Sequence, residues 1–183
     1  MKIARSITAG ALALAAGAIE AQTVQAVTPI ATLDVSRYVG RWYEIAKFPN
    51  RFQARCVSET SAQYGIAAEG TLRVLNQCRT PEGTMTQAIG EARQVGGSDS
   101  PRLKVRFAPA WLSFLPFVWG DYWVVDLDEA YELAAVSEPS REYLWILSRS
   151  PTVDPARYSA LMQRLAAMGL DSAKLEKTPQ QPD

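Results

Sequence analysis

The chain has 183 residues, 48% of them hydrophobic and 21% charged, which is enough length and apolar content for one domain with its own core. Nineteen basic and nineteen acidic residues cancel, and no Lys/Arg run exceeds two, so no electrostatic footprint for a nucleic acid exists. Histidine is absent, which removes the commonest general base, the commonest metal ligand and every Ser-His or Cys-His pair. No catalytic residue, metal or cofactor is expected.

Lys2 and Arg5 precede an uncharged Ala/Leu-rich run, Ile7 to Ile19, too short to span a bilayer as a helix. Residues 1–26 therefore read as an export leader, cleaved after residue 18, 21 or 26. No cysteine lies near those positions, so the expected location is periplasmic or outer-membrane associated without a lipid-anchor cysteine. The folded domain is expected over 33–178, with 179–183 as a flexible tail.

Beyond the leader, short alternating runs separated by Gly, Pro, Asp or Asn give the pattern of an antiparallel all-β domain. Eight strands are expected: Gly40–Phe48, Cys56–Gly65, Thr71–Arg79, Thr84–Val95, Arg102–Ala108, Gly120–Asp126, Tyr131–Ser137 and Arg141–Arg149. Eight antiparallel strands with short connections close into an up-and-down barrel able to hold one small ligand. In the fifth, Leu103, Val105 and Phe107 alternate with Arg102, Lys104 and Arg106, so the apolar set faces inward. In the fourth, Thr86, Ala88, Gly90 and Ala92 face in, and such small residues leave room for a cavity.

Export makes Cys56 and Cys78 readable as a disulfide, since strands folded about Ala67-Ala68-Glu69-Gly70 bring the thiols nearly opposite each other. Two separate buried thiols are the alternative. Between the fifth and sixth strands, residues 109–119 carry no charge, and Trp111, Phe114, Phe117 and Trp119 make this an unusually apolar loop at the open mouth. It reads as a lid, a dimer contact or a foot in a bilayer. Asp154 caps a C-terminal helix, Pro155 fits its first turn and Gly169 ends it. Its stripe of Tyr158, Leu161, Met162, Leu165 and Met168 packs on the outside of the barrel.

Three stretches carry a family resemblance: Gly40-Arg41-Trp42 opening the first strand, Leu127-Asp128 with Tyr131 after the sixth, and Tyr143-Leu144-Trp145-Ile146-Leu147-Ser148-Arg149 in the last. The chain resembles the lipocalins, specifically the bacterial lipocalins related to apolipoprotein D, and the second stretch keeps only part of that family's Thr-Asp-Tyr turn. Gly40, Trp42 and Arg149 are expected to plug the closed end, the guanidinium lying flat on the indole.

With Trp42 inward, parity along the first strand sends Glu44, Ala46 and Phe48 inward and Tyr43 and Ile45 toward the helix. The same count adds Tyr64, Asn76, Phe107, Tyr122, Tyr143, Trp145 and Leu147 to the expected ligand lining. A carboxylate in an apolar cup needs a partner. For Glu44 that partner is Tyr122, Asn76, water or a ligand head group, unless the residue is a strand-end Glu wetted at the closed end. The resemblance implies a carrier of a fatty acid, lysophospholipid or similar lipid, monomeric or weakly dimeric. Its rivals are a lipocalin-fold enzyme using a cavity thiol, and an interaction module working through the apolar loop.

Overall fold

The computed structural model describes residues 27–67 and 70–181; the leader expected at 1–26 lies outside them. A short helix α1 (Val35–Tyr38), N-capped by the Asp34 carboxylate, leads into β1 (Gly40–Lys47). There follow β2 (Ser58–Ile66), β3 (Thr71–Arg79), β4 (Met85–Gln94), β5 (Arg102–Arg106), β6 (Gly120–Leu127), β7 (Leu133–Ser137) and β8 (Leu144–Ser148). Each strand pairs antiparallel with the next, and β1 pairs with both β2 and β8, which closes an eight-stranded barrel.

Local chemistry shortens the seventh and eighth strands relative to the sequence pattern. The Asp128 carboxylate accepts from the amides of Glu132 and Leu133, and Tyr131 has a positive φ of 61°, so β7 starts only at Leu133. Likewise the Glu138 carboxylate gathers the amides of Ser140, Glu142 and Tyr143, and residues before Leu144 form a turn. Carboxylates that satisfy local N–H groups compete with the sheet ladder in this way.

Helix α2 (Pro155–Ala167) is capped by Asp154, whose carboxylate accepts from the amides of Ala156 and Arg157. Leu161 and Leu165 are buried in a cluster with Val125, Leu133, Ala135, Leu144 and Ile146, on the outer face of the barrel. A second cluster fills the interior around Trp42, Tyr38, Leu72, Val74, Val124, Val136 and Leu147. The two clusters take alternate residues of β7 and β8, as period-2 side-chain placement requires.

Two features depart from the sequence reading. A bulge between Glu44 and Ala46 in the pairing of β1 with β8 reverses the parity of the strand's end. Ala46 and Phe48, expected inside, therefore join the cluster under α2. The second is β9 (Glu176–Lys177), which pairs with Ala46 and Lys47 where β1 and β2 diverge. Beyond it the Thr178 amide donates to the Ile45 carbonyl, and the Glu59 amide donates to the Pro179 carbonyl. The start of the expected flexible tail is thus tied between two strands.

Candidate functional site

At one end the barrel is stoppered. The Arg149 guanidinium lies 4.0 Å from the centre of the Trp42 ring and donates to the backbone carbonyls of Arg37, Tyr38 and Arg41 through its Nη atoms and of Tyr131 through Nε. Trp42 Nε1 donates to the Tyr38 carbonyl at 2.8 Å. Gly40 sits at φ +102°, and a Cβ there would come within 3.0 Å of Arg149 Nη1, so both conformation and space require glycine. Tyr131 supports the plug: its ring lies under the Arg37 guanidinium and its hydroxyl accepts from the Asp34 amide.

Above the plug three tyrosines form the floor of the interior. The Tyr122 hydroxyl is hydrogen-bonded to those of Tyr38 at 2.8 Å and Tyr64 at 2.9 Å. Burial pushes the phenols up, Tyr64 to about 12, so all three are neutral hydrogen-bonding groups over the physiological range. Each hydroxyl thus has a partner within the trio, although two bonds use only two of the three phenolic protons.

Glu44 is almost fully buried, but its partners are not those expected from sequence. Gln53 Nε2 donates to one carboxylate oxygen and Thr178 Oγ1 to the other, each at 2.5 Å. Burial raises the carboxyl above its ordinary range, and these two hydrogen bonds work against that rise. Neither the closed end nor bulk solvent is involved. Gln53 also accepts from Trp145 Nε1 at 2.9 Å, so one loop residue ties the wall of β1 to that of β8. It lies in a 3-10 turn, Arg51–Gln53, between β1 and β2, and its partners lie nine positions back on β1 and 92 positions on in β8, a relation with no signal in the local pattern.

That loop is pinned at its far end by the Cys56–Cys78 disulfide, with Cα atoms 5.5 Å apart. Cys56 precedes β2 rather than lying in it, so the bridge joins a loop to β3. Both cysteines of the chain are consumed, which removes the free thiol that the enzymatic rival needs.

The other expected lining residues divide by height. Tyr143 stacks on Trp145 with ring centres 5.7 Å apart, and Leu147 lies deeper, opposite Glu44. Asn76 shares the inward face of β3 with Leu72 and Val74. Phe107 lies past the end of β5, 44% exposed, and a Cβ on Gly90 would come within 2.7 Å of its ring; it overhangs the inner face of β4 at the rim. Thr86 and Ala88 face inward by register yet are exposed, and β5 pairs with β4 only from Glu91 to Gln94, so the wall is open there. Phe48 is the exception. It lies outside the barrel and contributes to the wall of a surface hollow of about 600 Å³ with Arg141, Gly169 and Lys174.

The apolar loop also divides. Trp111, Phe114 and Phe117 are 73%, 75% and 79% exposed, whereas Trp119 is buried, correcting its place among the mouth residues. Its ring lies between the guanidiniums of Arg93, at 4.3 Å, and Arg106, at 5.1 Å, and its Nε1 donates to the Ser113 carbonyl. Trp119 therefore anchors the loop to the outer surface and leaves three aromatic rings projecting from it.

An up-and-down barrel plugged at one end and open at the other is a cup for a small guest. A family model described as a lipocalin-like domain matches residues 33–180, and the chain belongs to that family, which binds small hydrophobic ligands. Similar proteins include temperature-induced lipocalin-1 of Arabidopsis thaliana, 43% identical over 150 residues that span 81% of this chain and 80% of the relative. The outer membrane lipoprotein Blc of Escherichia coli K12 is 38% identical over 81% of this chain and 80% of its own length. Mouse apolipoprotein D is 34% identical over 80% and 77% respectively. Among solved structures, insecticyanin of the tobacco hornworm Manduca sexta superposes with a TM-score of 0.64 at 19% identity over 83% of each chain, a likeness of fold.

Proposed function

We propose that this lipocalin carries a single-chain lipid, of the fatty-acid or lysophospholipid type, within its barrel and does so in the bacterial envelope. The observation that carries the reading is the contrast between the two ends: a sealed floor of rings and an open rim bearing Phe107, Tyr143 and Trp145. Sites of this kind have mostly apolar walls with few polar groups. Burying a sixteen-carbon tail gains about 12 kcal/mol at roughly 0.8 per methylene, ample against association costs of about 4 kcal/mol or more. The leader-like first residues, the disulfide and the name of the outer-membrane relative support an exported location. The proposed contacts are Glu44, Tyr64, Asn76, Phe107, Tyr122, Tyr143, Trp145 and Leu147. No histidine and no free thiol are available for chemistry, so the role proposed is carriage without turnover.

The three projecting rings of the mouth loop are proposed to rest on a membrane, where a lipid carrier loads and unloads. Aromatic side chains on an uncharged loop suit the interface. Titration with the neutral fluorophore N-phenyl-1-naphthylamine tests the carrier reading: saturable one-to-one binding is expected, lost in Trp145→Glu, which places a charge among the rings. A folded Trp145→Glu variant with unchanged affinity would remove Trp145 from the site.

A further inference from the structure

The wall of the barrel is incomplete beside β4. Pairing with β5 runs from Gln94 to Glu91 and stops, so residues 85–90 carry an edge that is free among the described residues. The Val95 amide donates to the Arg102 carbonyl, which sets the hydrogen-bonding phase of these two strands. By alternation the amides and carbonyls of Met85, Gln87 and Ile89 point at the gap, and those of Thr86, Ala88 and Gly90 at β3. No charged residue or proline blunts this edge, as exposed edges normally require.

The register of β5 continues one residue past its last ladder pair. Phe107 stands opposite Gly90, and a Cβ on that glycine would come within 2.7 Å of its ring. The chain then leaves the sheet: Ala110–Leu112 forms a 3-10 turn, and the Ala108 carbonyl is held by the Arg106 guanidinium. The cause lies on the other side. Val105 is opposite Gly120, so by the same count Pro109 falls opposite Pro116. The Val124 amide donates to the Pro101 carbonyl, and in that phase the two missing proline amides face each other. Toward β4 nothing is missing, because the groups facing that edge belong to Ala108, Ala110 and Leu112.

We propose that residues 108–112 are a lid that closes by continuing β5 along the free edge of β4. In that register Ala108, Ala110 and Leu112 pair with Ile89, Gln87 and Met85, which covers the exposed Ile89 and Met85. On the inner face Pro109 and Trp111 follow Phe107 and meet Ala88 and Thr86, large side chains against small ones. Leu112 then stands about 23 Å above Val105, and residues 113–119 can span about 26 Å back to Gly120. Closure trades the local 3-10 bonds and the Trp119 Nε1 bond to the Ser113 carbonyl for a ladder. The exposed Trp111 ring gains burial only when a guest fills the space beneath it, so guest and closed lid favour each other. On a bilayer the same ring lies in the interface and the wall stays open for the guest to pass. This inference rests on the carrier reading and names the part that moves.

The test is amide hydrogen exchange read residue by residue, with and without bound N-phenyl-1-naphthylamine. Binding should slow exchange at Met85, Gln87 and Ile89 about ten-fold or more and leave Thr86, Ala88 and Gly90 within about two-fold. Ala110→Pro suits the open form, where that residue begins the 3-10 turn and its amide donates to no described backbone group, yet it deletes an amide the ladder needs. It should abolish the alternating protection and speed release of the bound fluorophore about ten-fold. Protection at none of the three positions with the fluorophore bound, or protection that survives Ala110→Pro, would overturn the lid and leave the carrier reading standing. Protection that appears only as the protein dimerises in light scattering would assign the edge to a second copy and overturn the lid as well. Failure of the fluorophore itself to bind would defeat both.

Discussion

Replacing Trp42 separates the roles of bulk, stacking and hydrogen bonding at the closed end. Its side chain is fully enclosed, covered by Arg149 on one face and packed against Tyr38 at 4.8 Å between ring centres. Trp42→Ala removes the whole ring from a site that the barrel cannot collapse into, and such truncations cost about 3–5 kcal/mol. For a domain of this size each kcal/mol lowers the melting temperature by about 2–4 °C, so a loss of roughly 10 °C is expected. Trp42→Phe keeps a ring beneath the guanidinium but loses the Nε1–H donation and the volume of the second indole ring. The Tyr38 carbonyl would still accept from Arg149 Nη2 at 3.2 Å and is not orphaned. That variant should cost about 1–2 kcal/mol. Thermal melts followed by circular dichroism give both numbers. A Trp42→Ala protein melting within about 2 °C of wild type, or a Trp42→Phe protein as damaged as Trp42→Ala, would refute the plug as a packed and stacked unit.

Reducing the disulfide, or changing Cys56 and Cys78 to Ser, should lower stability by about 3 kcal/mol through the larger entropy of the unfolded chain, measured by urea titration; an unchanged midpoint would contradict this. Glu44 links stability to pH: its folded-state carboxyl is raised above the ordinary 4.5, so its contribution is greatest below that value and is lost as pH rises through the raised one. Glu44→Gln should therefore gain on the wild type between pH 4 and pH 7 in denaturant melts, and a constant difference across that range would count against the buried carboxylate. At the mouth, co-sedimentation with neutral liposomes should be weak, persist in high salt and disappear in Trp111→Ser/Phe114→Ser with interior binding retained. A dimer formed through the same loop would reassign those rings to self-association.

The parts of the molecule legible in the sequence were those in which residue type and local spacing decide the outcome. The Gly40–Trp42–Arg149 plug, the Asp154 cap and the helix stripe all depend on residues whose chemistry permits few arrangements. Inward parity held wherever strands stay regular, as at Leu103, Val105, Tyr122 and Leu147. It broke at Phe48 because a bulge inserts one residue into β1, and nothing in Glu44-Ile45-Ala46 marks the place. The partners of Glu44 were hidden for another reason: Gln53 is nine positions away in a loop and Thr178 is 134 away, so only closure of the barrel brings them together. Trp119 resembled its exposed neighbours by composition, and only the placement of Arg93 and Arg106 on β4 and β5 distinguishes it.

The most direct test of the carrier role is to purify the protein from the cells that make it without detergent, extract it with organic solvent and identify what is released by mass spectrometry. An amphiphile with a single alkyl chain, recovered near one per protein and absent from a parallel preparation of Trp145→Glu, is the expected result. A protein that comes out empty and then takes up neither N-phenyl-1-naphthylamine nor an offered lipid would contradict the account.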